Sequence, residues 1–163
     1  MSSMTRTWPR PTYTVTAEFR APLEFVYRWC TDYTPEDASY ESEGYRRRIL
    51  ERSSRRVVYE DLEETKEGWL WARHVVRLMP PARWHSDSVG SHREISLDYR
   101  LTRLPGGRTR LTLTAHRSPS GVGRKNPAKT AWERSVAQTW KRFGRFLERD
   151  FRRAGEAKPA RAH

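Results

Sequence analysis

The feature that most constrains this sequence is a long amphipathic segment near its C-terminal end, residues 128–153. Large apolar side chains recur there three or four positions apart, which is the spacing of one face of an α-helix. They are Trp132, Val136, Trp140, Phe143, Leu147 and Phe151. Lys, Arg and Glu occupy the opposite face. A helix with such a face needs a broad apolar surface to cover, which the preceding residues must supply.

Most of those preceding residues alternate between apolar and polar types, the pattern of β-strands with one buried face. In residues 13–19, for example, Tyr13, Val15 and Phe19 alternate with Thr and Glu. We predict further strands over residues 45–52, 56–63, 69–79, 83–90, 93–101 and 111–115. Short polar, Gly-containing or Pro-containing segments separate them, which suits antiparallel hairpins.

Two short helices are expected directly after the first strand. Pro22 lies near the first turn of a segment whose apolar residues have helical spacing and which ends near Asp32. Residues 35–38 can begin the second helix. The sequence therefore predicts an α+β fold of about six or seven curved antiparallel strands wrapped around the long C-terminal helix. This arrangement is a helix-grip fold.

The length of 163 residues suits one domain, which we place at residues 13–154. We expect residues 1–12 to be a flexible N-terminus and residues 155–163 a disordered tail. Cys30 is the single cysteine, so an intrachain disulfide is excluded. No apolar run is long enough to span a bilayer, and residues 1–12 lack the apolar stretch of an export signal. We expect a cytoplasmic protein without stable membrane insertion, either a monomer or a homodimer.

Three segments resemble the START-like superfamily, which includes polyketide cyclase-like proteins. Residues 14–27 (TVTAEFRAPLEFVY) are similar to its first strand and helix start, residues 78–84 (LMPPARW) to its mid-sheet Pro-Pro connection, and residues 106–113 (GGRTRLTL) to its final hairpin. The resemblance implies a helix-grip fold around an internal pocket. Members include lipid carriers, binders of hormones and secondary metabolites, cyclases and chaperone regulators, so the resemblance implies no particular reaction.

An internal pocket in such a fold is expected to have aromatic walls. Candidates on the helix are Trp132, Val136, Trp140 and Phe143, and candidates elsewhere are Trp29, Tyr59, Trp69, Trp71 and Trp84. For any single one of them, ordinary core packing is the favoured interpretation. The leading hypothesis is binding of a small hydrophobic, lipid-like or polycyclic ligand, for transport or sequestration.

An enzyme of the cyclase or aromatase type is the second hypothesis, and it needs an acid or base in the pocket. His74 and Asp61 are weak candidates, and Arg73 is a candidate to hold a ligand carboxylate. Asp61 is also able simply to pair with an arginine. Two registers are open for the third of these predicted strands, residues 69–79. One register turns Leu70, Ala72, His74, Val76 and Leu78 inward, and the other buries Trp69, Trp71 and Val75 instead.

The net charge of +12 raises a third hypothesis, nucleic-acid or acidic-partner binding. The basic residues involved would be Arg46, Arg47, Arg48, Arg52, Arg55, Arg56 and the outer face of the C-terminal helix. Acidic residues lie between most of the arginines, which favours an ordinary solvated surface. The spacing of His, Cys and carboxylate residues suggests no metal site, and no Gly-rich segment has the setting of a phosphate loop. We expect no cofactor.

Overall fold

The computed structural model describes residues 12–91, 93–119 and 128–156. Within these residues seven strands form one antiparallel sheet. The strands are β1 (Thr12–Phe19), β2 (Tyr45–Arg52), β3 (Arg56–Thr65), β4 (Gly68–Met79), β5 (Arg83–Gly90), β6 (Arg93–Leu104) and β7 (Arg108–Pro119). The helices are α1 (Leu23–Thr31), a short 3-10 helix (Pro35–Tyr40) and the long α2 (Lys129–Glu156). This confirms the predicted α+β, helix-grip fold.

The strand order in the sheet is β1-β7-β6-β5-β4-β3-β2. Strands β2 to β7 are each paired with their neighbours in sequence, while β1 pairs with β7. The edges of the sheet are therefore β1 and β2. The α2 helix runs beside β1 and covers the concave face, and α1 with the 3-10 helix covers the rest of that face.

The connections follow from local sequence. Gly106 and Gly107, between β6 and β7, have positive φ angles of 76° and 68°, which residues with a side chain rarely adopt. The Pro80–Pro81 peptide bond between β4 and β5 is cis. Thr34 caps the 3-10 helix through a reciprocal pair of hydrogen bonds with Asp37. The turn at Gly106 and Gly107 joins β6 and β7 as the predicted hairpin.

The main core lies between the concave face and the helices. Its largest fully buried side chains include Phe19 on β1, Trp84 on β5 and Leu147 on α2. The alternating residues of β3 and β4 contribute Val57 and Val76, both without exposed surface. Apolar residues from every layer therefore meet at one place, as expected for a single hydrophobic core.

Element ends differ from the predicted ones by a few residues. The first strand begins at Thr12, and α2 continues through Gly155 and Glu156, two residues that the sequence assigned to the tail. The rest of the expected N-terminal segment and tail, residues 1–11 and 157–163, lies outside the described residues. No helix within the described ranges is long and apolar enough to cross a membrane.

Close packing between α2 and β1 occurs at Gly144. A Cβ atom added to Gly144 would lie 3.2 Å from two ring atoms of Phe19, which is itself 1% exposed. A Cβ atom added to Gly155 in the same helix meets nothing within 4 Å. The absence of a side chain at position 144 therefore allows the helix to lie this close to the strand.

We expect Gly144→Val to lower the free energy of unfolding by about 1–3 kcal/mol, because the added atoms overpack the contact with Phe19. Gly155→Val is the matched control, and it should change stability by no more than about 0.5 kcal/mol. Urea denaturation at equilibrium measures both values. Equal stability of the two variants would contradict this account of the helix–strand contact.

Candidate functional site

A cavity of about 150 Å³ lies between the concave face of the sheet, the first helices and α2. Its lining residues are Trp29, Cys30, Tyr33, Asp37, Tyr40, Glu41, Arg47, Tyr59, Trp84, Tyr99, Trp140 and Phe143. Five of the predicted wall residues are among them: Trp29, Tyr59, Trp84, Trp140 and Phe143. We call this space the central cavity.

Most of the wall residues of the central cavity are aromatic, and several of their rings contact one another. Trp84 stacks on Tyr99 with 4.7 Å between ring centroids, and Tyr33 stacks on Tyr59 at 5.1 Å. Tyr99 meets Trp140 edge to face at 6.1 Å. Because each ring is held by a neighbouring ring, the walls form a largely preformed and apolar surface.

Two of the predicted helix residues lie elsewhere. Trp132 packs against the ring of Tyr13 at 4.6 Å, in a small separate core with Ile95 and Ala115. Val136 is half-buried one turn before Trp140 and does not line the central cavity. The apolar stripe of α2 runs the whole length of the sheet, whereas the cavity occupies only part of that length.

The prediction for Trp69, Trp71 and Arg73 needs correction, because these residues alternate with His74 and belong to the convex face of β4. Trp69 is 53% exposed and Trp71 is 37% exposed. Trp71 borders the second cavity described below and does not line the central cavity. Arg73 forms an exposed ion pair with Glu60, at 2.7 Å, so it cannot hold a ligand inside the central cavity.

The structure decides between the two registers of β4 and turns His74 toward the concave face. Its imidazole stacks on the ring of Tyr59 with 4.4 Å between centroids. Its Nε2 atom lies 3.4 Å from a carboxylate oxygen of Asp61. His74 and Asp61, the two candidates for acid–base chemistry, are therefore neighbours.

The sequence analysis assigned Arg47 to a basic surface, and the structure places it at the central cavity instead. Its Nε and Nη2 atoms donate to the two carboxylate oxygens of Asp61 at 2.8 and 3.1 Å, and Nη1 lies 3.4 Å from Asp37. The side chains of Arg47 and Asp61 are only 9% and 5% exposed. The guanidinium also lies over the ring of Tyr59, 4.3 Å from its centroid. Arg47 belongs to the interior and not to a basic surface run.

The alternation of residues along β2 could have indicated that Arg47 faces the interior. Tyr45, Arg47 and Ile49 share a face, and the register places Arg47 opposite Asp61 on β3. Burial works against the guanidinium charge, but the hydrogen bonds to Asp61 and the attraction to Asp61, Tyr59 and Tyr45 together outweigh it and raise the pKa of Arg47. Arg47 is charged at every physiological pH.

A second cavity of about 70 Å³ lies on the other side of the Arg47–Asp61 pair. Asp61 and His74 border it, together with Tyr45, whose hydroxyl donates to Asp61 at 2.6 Å. Gly90 allows β5 to lie close to β4 beside this cavity, because a Cβ atom there would lie 2.6 Å from the Trp71 carbonyl oxygen. The ion pair thus stands between an aromatic cavity and a smaller polar one.

Three tyrosine hydroxyls are unused inside the central cavity. Tyr33, Tyr59 and Tyr99 line it, and no described residue forms a hydrogen bond with any of their hydroxyl groups. Burial raises the pKa of each phenol above its ordinary value. All three hydroxyls stay protonated and are available as hydrogen-bond donors.

Carboxylates occupy the more exposed side of the central cavity. The side chains of Asp37 and Glu41 are 24% and 31% exposed, and Glu41 lies 3.8 Å from Arg142. Burial raises the pKa of Glu41 above its ordinary value. Because Asp61 already balances the charge of Arg47, the cavity has no excess positive charge for an anionic ligand.

This architecture, a curved antiparallel sheet closed by a C-terminal helix around an aromatic cavity, is the START-like or SRPBCC fold. Neither protein-family models nor curated protein sequences give a match to this chain. Solved structures do share its fold.

Three of these structures illustrate the likeness. The Zhui aromatase/cyclase from Streptomyces sp. R1128 has a TM-score of 0.69 and 16% identity, over 92% of this chain and 98% of its own. A START superfamily protein from Mycobacterium smegmatis has a TM-score of 0.62 and 13% identity, over 88% and 98%. Ara h 8.0201 has a TM-score of 0.67 and 10% identity, over 84% and 97%. Identities this low establish the shared fold alone.

We expect Asp61→Asn to lower the free energy of unfolding by about 3–5 kcal/mol, because it leaves the Arg47 charge buried without its main partner. Glu60→Gln is a matched control on the adjacent residue of β3, where the ion pairs are with the exposed Arg48 and Arg73. That change should cost far less, since water replaces the lost contacts. Chemical denaturation at pH 7 compares the two, and similar losses would contradict the interior role of Asp61.

Proposed function

We propose that this protein binds a small, uncharged, ring-bearing molecule with acceptor oxygens in the central cavity, for transport or sequestration. The observation that carries the proposal is the set of three phenol hydroxyls on the cavity lining that form no hydrogen bond with a described residue. Each can donate to an acceptor, and a ligand with acceptor oxygens supplies one inside the aromatic cavity.

Size and shape restrict the ligand further. A space of about 150 Å³ suits one six-membered aromatic ring. The walls offer ring faces and edges from Trp84, Tyr99 and Trp140. A larger lipid-like or polycyclic molecule would place one ring here and extend past Asp37 and Glu41, on the more exposed side of the cavity.

Away from Asp37 and Glu41, the central cavity has more hydrogen-bond donors than acceptors. Arg47 has five N–H groups, of which the contacts with Asp61 and Asp37 use three. The carboxylates of Asp37 and Glu41 repel an anion, whereas the phenols and the guanidinium favour a neutral carbonyl or ether oxygen. A neutral ketone, quinone or phenol therefore fits better than a carboxylic acid.

Three single-ring probes test this proposal: acetophenone, ethylbenzene and benzoate. In isothermal titration calorimetry acetophenone should bind most tightly, because ethylbenzene lacks an acceptor oxygen and benzoate is an anion. Tyr99→Phe should weaken acetophenone binding about two- to tenfold, the worth of one hydrogen bond, while leaving ethylbenzene binding unchanged.

The matched control is Trp132→Phe, which lies outside the central cavity and should alter neither affinity. Native mass spectrometry of the purified protein adds an independent check for a copurifying ring compound. Equal affinities for the three probes would contradict the proposal. So would the absence of both probe binding and a copurified molecule.

An enzyme of the cyclase type is the second candidate, favoured by the 3.4 Å contact between His74 and Asp61 beside the second cavity. In this reaction His74 removes a proton from a methylene group between two carbonyls. The resulting carbanion attacks a third carbonyl carbon, forming a carbon–carbon bond, and water leaves as the ring becomes aromatic. Tyr45 and Arg47 hold Asp61 in place through hydrogen bonds.

A linear tetracarbonyl thioester, 3,5,7-trioxooctanoyl-N-acetylcysteamine, tests for this activity, because its C2 carbanion closes a six-membered ring at the C7 carbonyl carbon. If the protein is a cyclase, His74→Ala should slow cyclisation by a factor of about 100 to 10,000, the usual contribution of a general base. Tyr99→Phe should change turnover much less. No acceleration over buffer, or full activity in His74→Ala, would reject the enzymatic candidate and leave the binding proposal intact.

The basic-surface hypothesis has less support. Arg47 points inward, Arg48 pairs with Glu60 at 2.8 Å, and Arg56 lies 3.5 Å from Glu51. Acidic partners within the same strands therefore neutralise much of this arginine-rich region. This pattern favours a solvated surface over a nucleic-acid interface.

A further inference from the structure

The outer edge of β1 is capped at its two ends and open between them. The Thr14 N–H donates to Glu133 at 2.9 Å, and the Arg20 N–H donates to Glu148 at 2.9 Å. Both glutamates belong to α2, which runs parallel to the strand. Because backbone groups alternate in direction along a strand, Thr16 and Glu18 also point their N–H and C=O groups outward. No described residue forms a hydrogen bond with these groups.

A groove of about 440 Å³ follows this open edge. Ala17 and Trp140 lie among its lining residues, so it has apolar surface next to the free backbone groups. On the helix side Ala137 has a small side chain, which leaves room in the groove. An edge strand with free backbone groups is a template for the addition of another strand.

The charge around the groove is predominantly positive. Arg20, Lys141 and Arg145 line it with exposed side chains. The two nearby acids are engaged: Glu18 pairs with Arg108 and Arg110 on β7, and Glu148 accepts from the Arg20 N–H. The surface therefore attracts acidic residues.

We propose that the β1 edge at Thr16–Glu18 is a docking site for an extended acidic segment of another protein, which adds to the sheet as an eighth strand. The backbone of the segment pairs with Thr16 and Glu18, and its acidic side chains face Lys141 and Arg145. The caps on Thr14 and Arg20 lie six residues apart, about 20 Å along a strand, which leaves room for four or five residues between them.

The positive charge of the groove also favours an acidic segment of another protein over a segment of this chain or a second copy of it. The segments outside the structure carry basic side chains, such as Arg6, Arg10, Arg124, Lys125 and Lys158. A second copy of the chain has the same net charge of +12 and would be repelled. The positive charge that repels both of these alternatives attracts an acidic partner.

Titration of the ¹⁵N-labelled full chain with the capped pentapeptide Asp-Ala-Asp-Val-Asp tests the proposal. We expect the largest amide shifts at Thr16 and Glu18, binding that weakens as salt is added, and no binding of Lys-Ala-Lys-Val-Lys. Thr16→Pro removes the outward N–H at a position where an edge strand tolerates proline, and it should abolish binding.

A second variant keeps the test informative if Thr16→Pro fails to fold. The double change Lys141→Glu and Arg145→Glu alters only exposed side chains, and it should weaken the acidic peptide about tenfold or more. Arg134→Glu, an exposed residue of α2 outside the groove, is the matched control and should have little effect. Three outcomes would overturn the proposal: no binding of the acidic peptide, equal binding of both peptides, or shifts centred away from β1.

Discussion

The buried ion pair between Arg47 and Asp61 is the interaction on which the interior depends. Removing two charges from water is costly, and the cost is met only when hydrogen bonds satisfy most of the donors and acceptors. Here Asp61 accepts from Arg47 twice and from Tyr45 once, so its oxygens are well supplied. The pair fixes the position of the guanidinium against the Tyr59 ring. It thereby determines where polar groups meet the aromatic cavity, which apolar packing alone would not specify.

Local periodicity carried the prediction of the fold. Alternation identified each strand, and the helical spacing of the apolar residues identified α2, because these patterns depend only on neighbours along the chain. The face of β4 was undecided, since Trp69 and Trp71 on one side look as apolar as Leu70 and Val76 on the other. Only the pairing of β4 with β3 places His74 beside Asp61 and leaves the tryptophans outside.

The candidate site was less predictable than the fold, because patterns along the chain do not show which residues meet across strands. Aromatic wall residues such as Trp84 and Trp140 follow from apolar patterning, but Arg47 lies between two exposed arginines and its burial depends on Asp61, fourteen residues away. The sequence shows such a partner only after the register of β2 and β3 is known. Trp132 was misassigned because α2 is longer than the cavity it covers, which the apolar stripe does not reveal.

The central cavity and the β1 edge illustrate one principle at two places. In each, polar groups that a folded chain normally pairs have no described partner: the phenols of Tyr33 and Tyr99 inside, and the backbone of Thr16 and Glu18 at the edge. The fold satisfies similar groups close by, where Trp29 donates to Asp150 at 3.0 Å. A molecule that binds the native state at such sites also stabilises it, by RT ln(1 + [L]/Kd). A ligand bound at either site would therefore also stabilise the native state, because it would pair with donors and acceptors that the described residues leave unpaired.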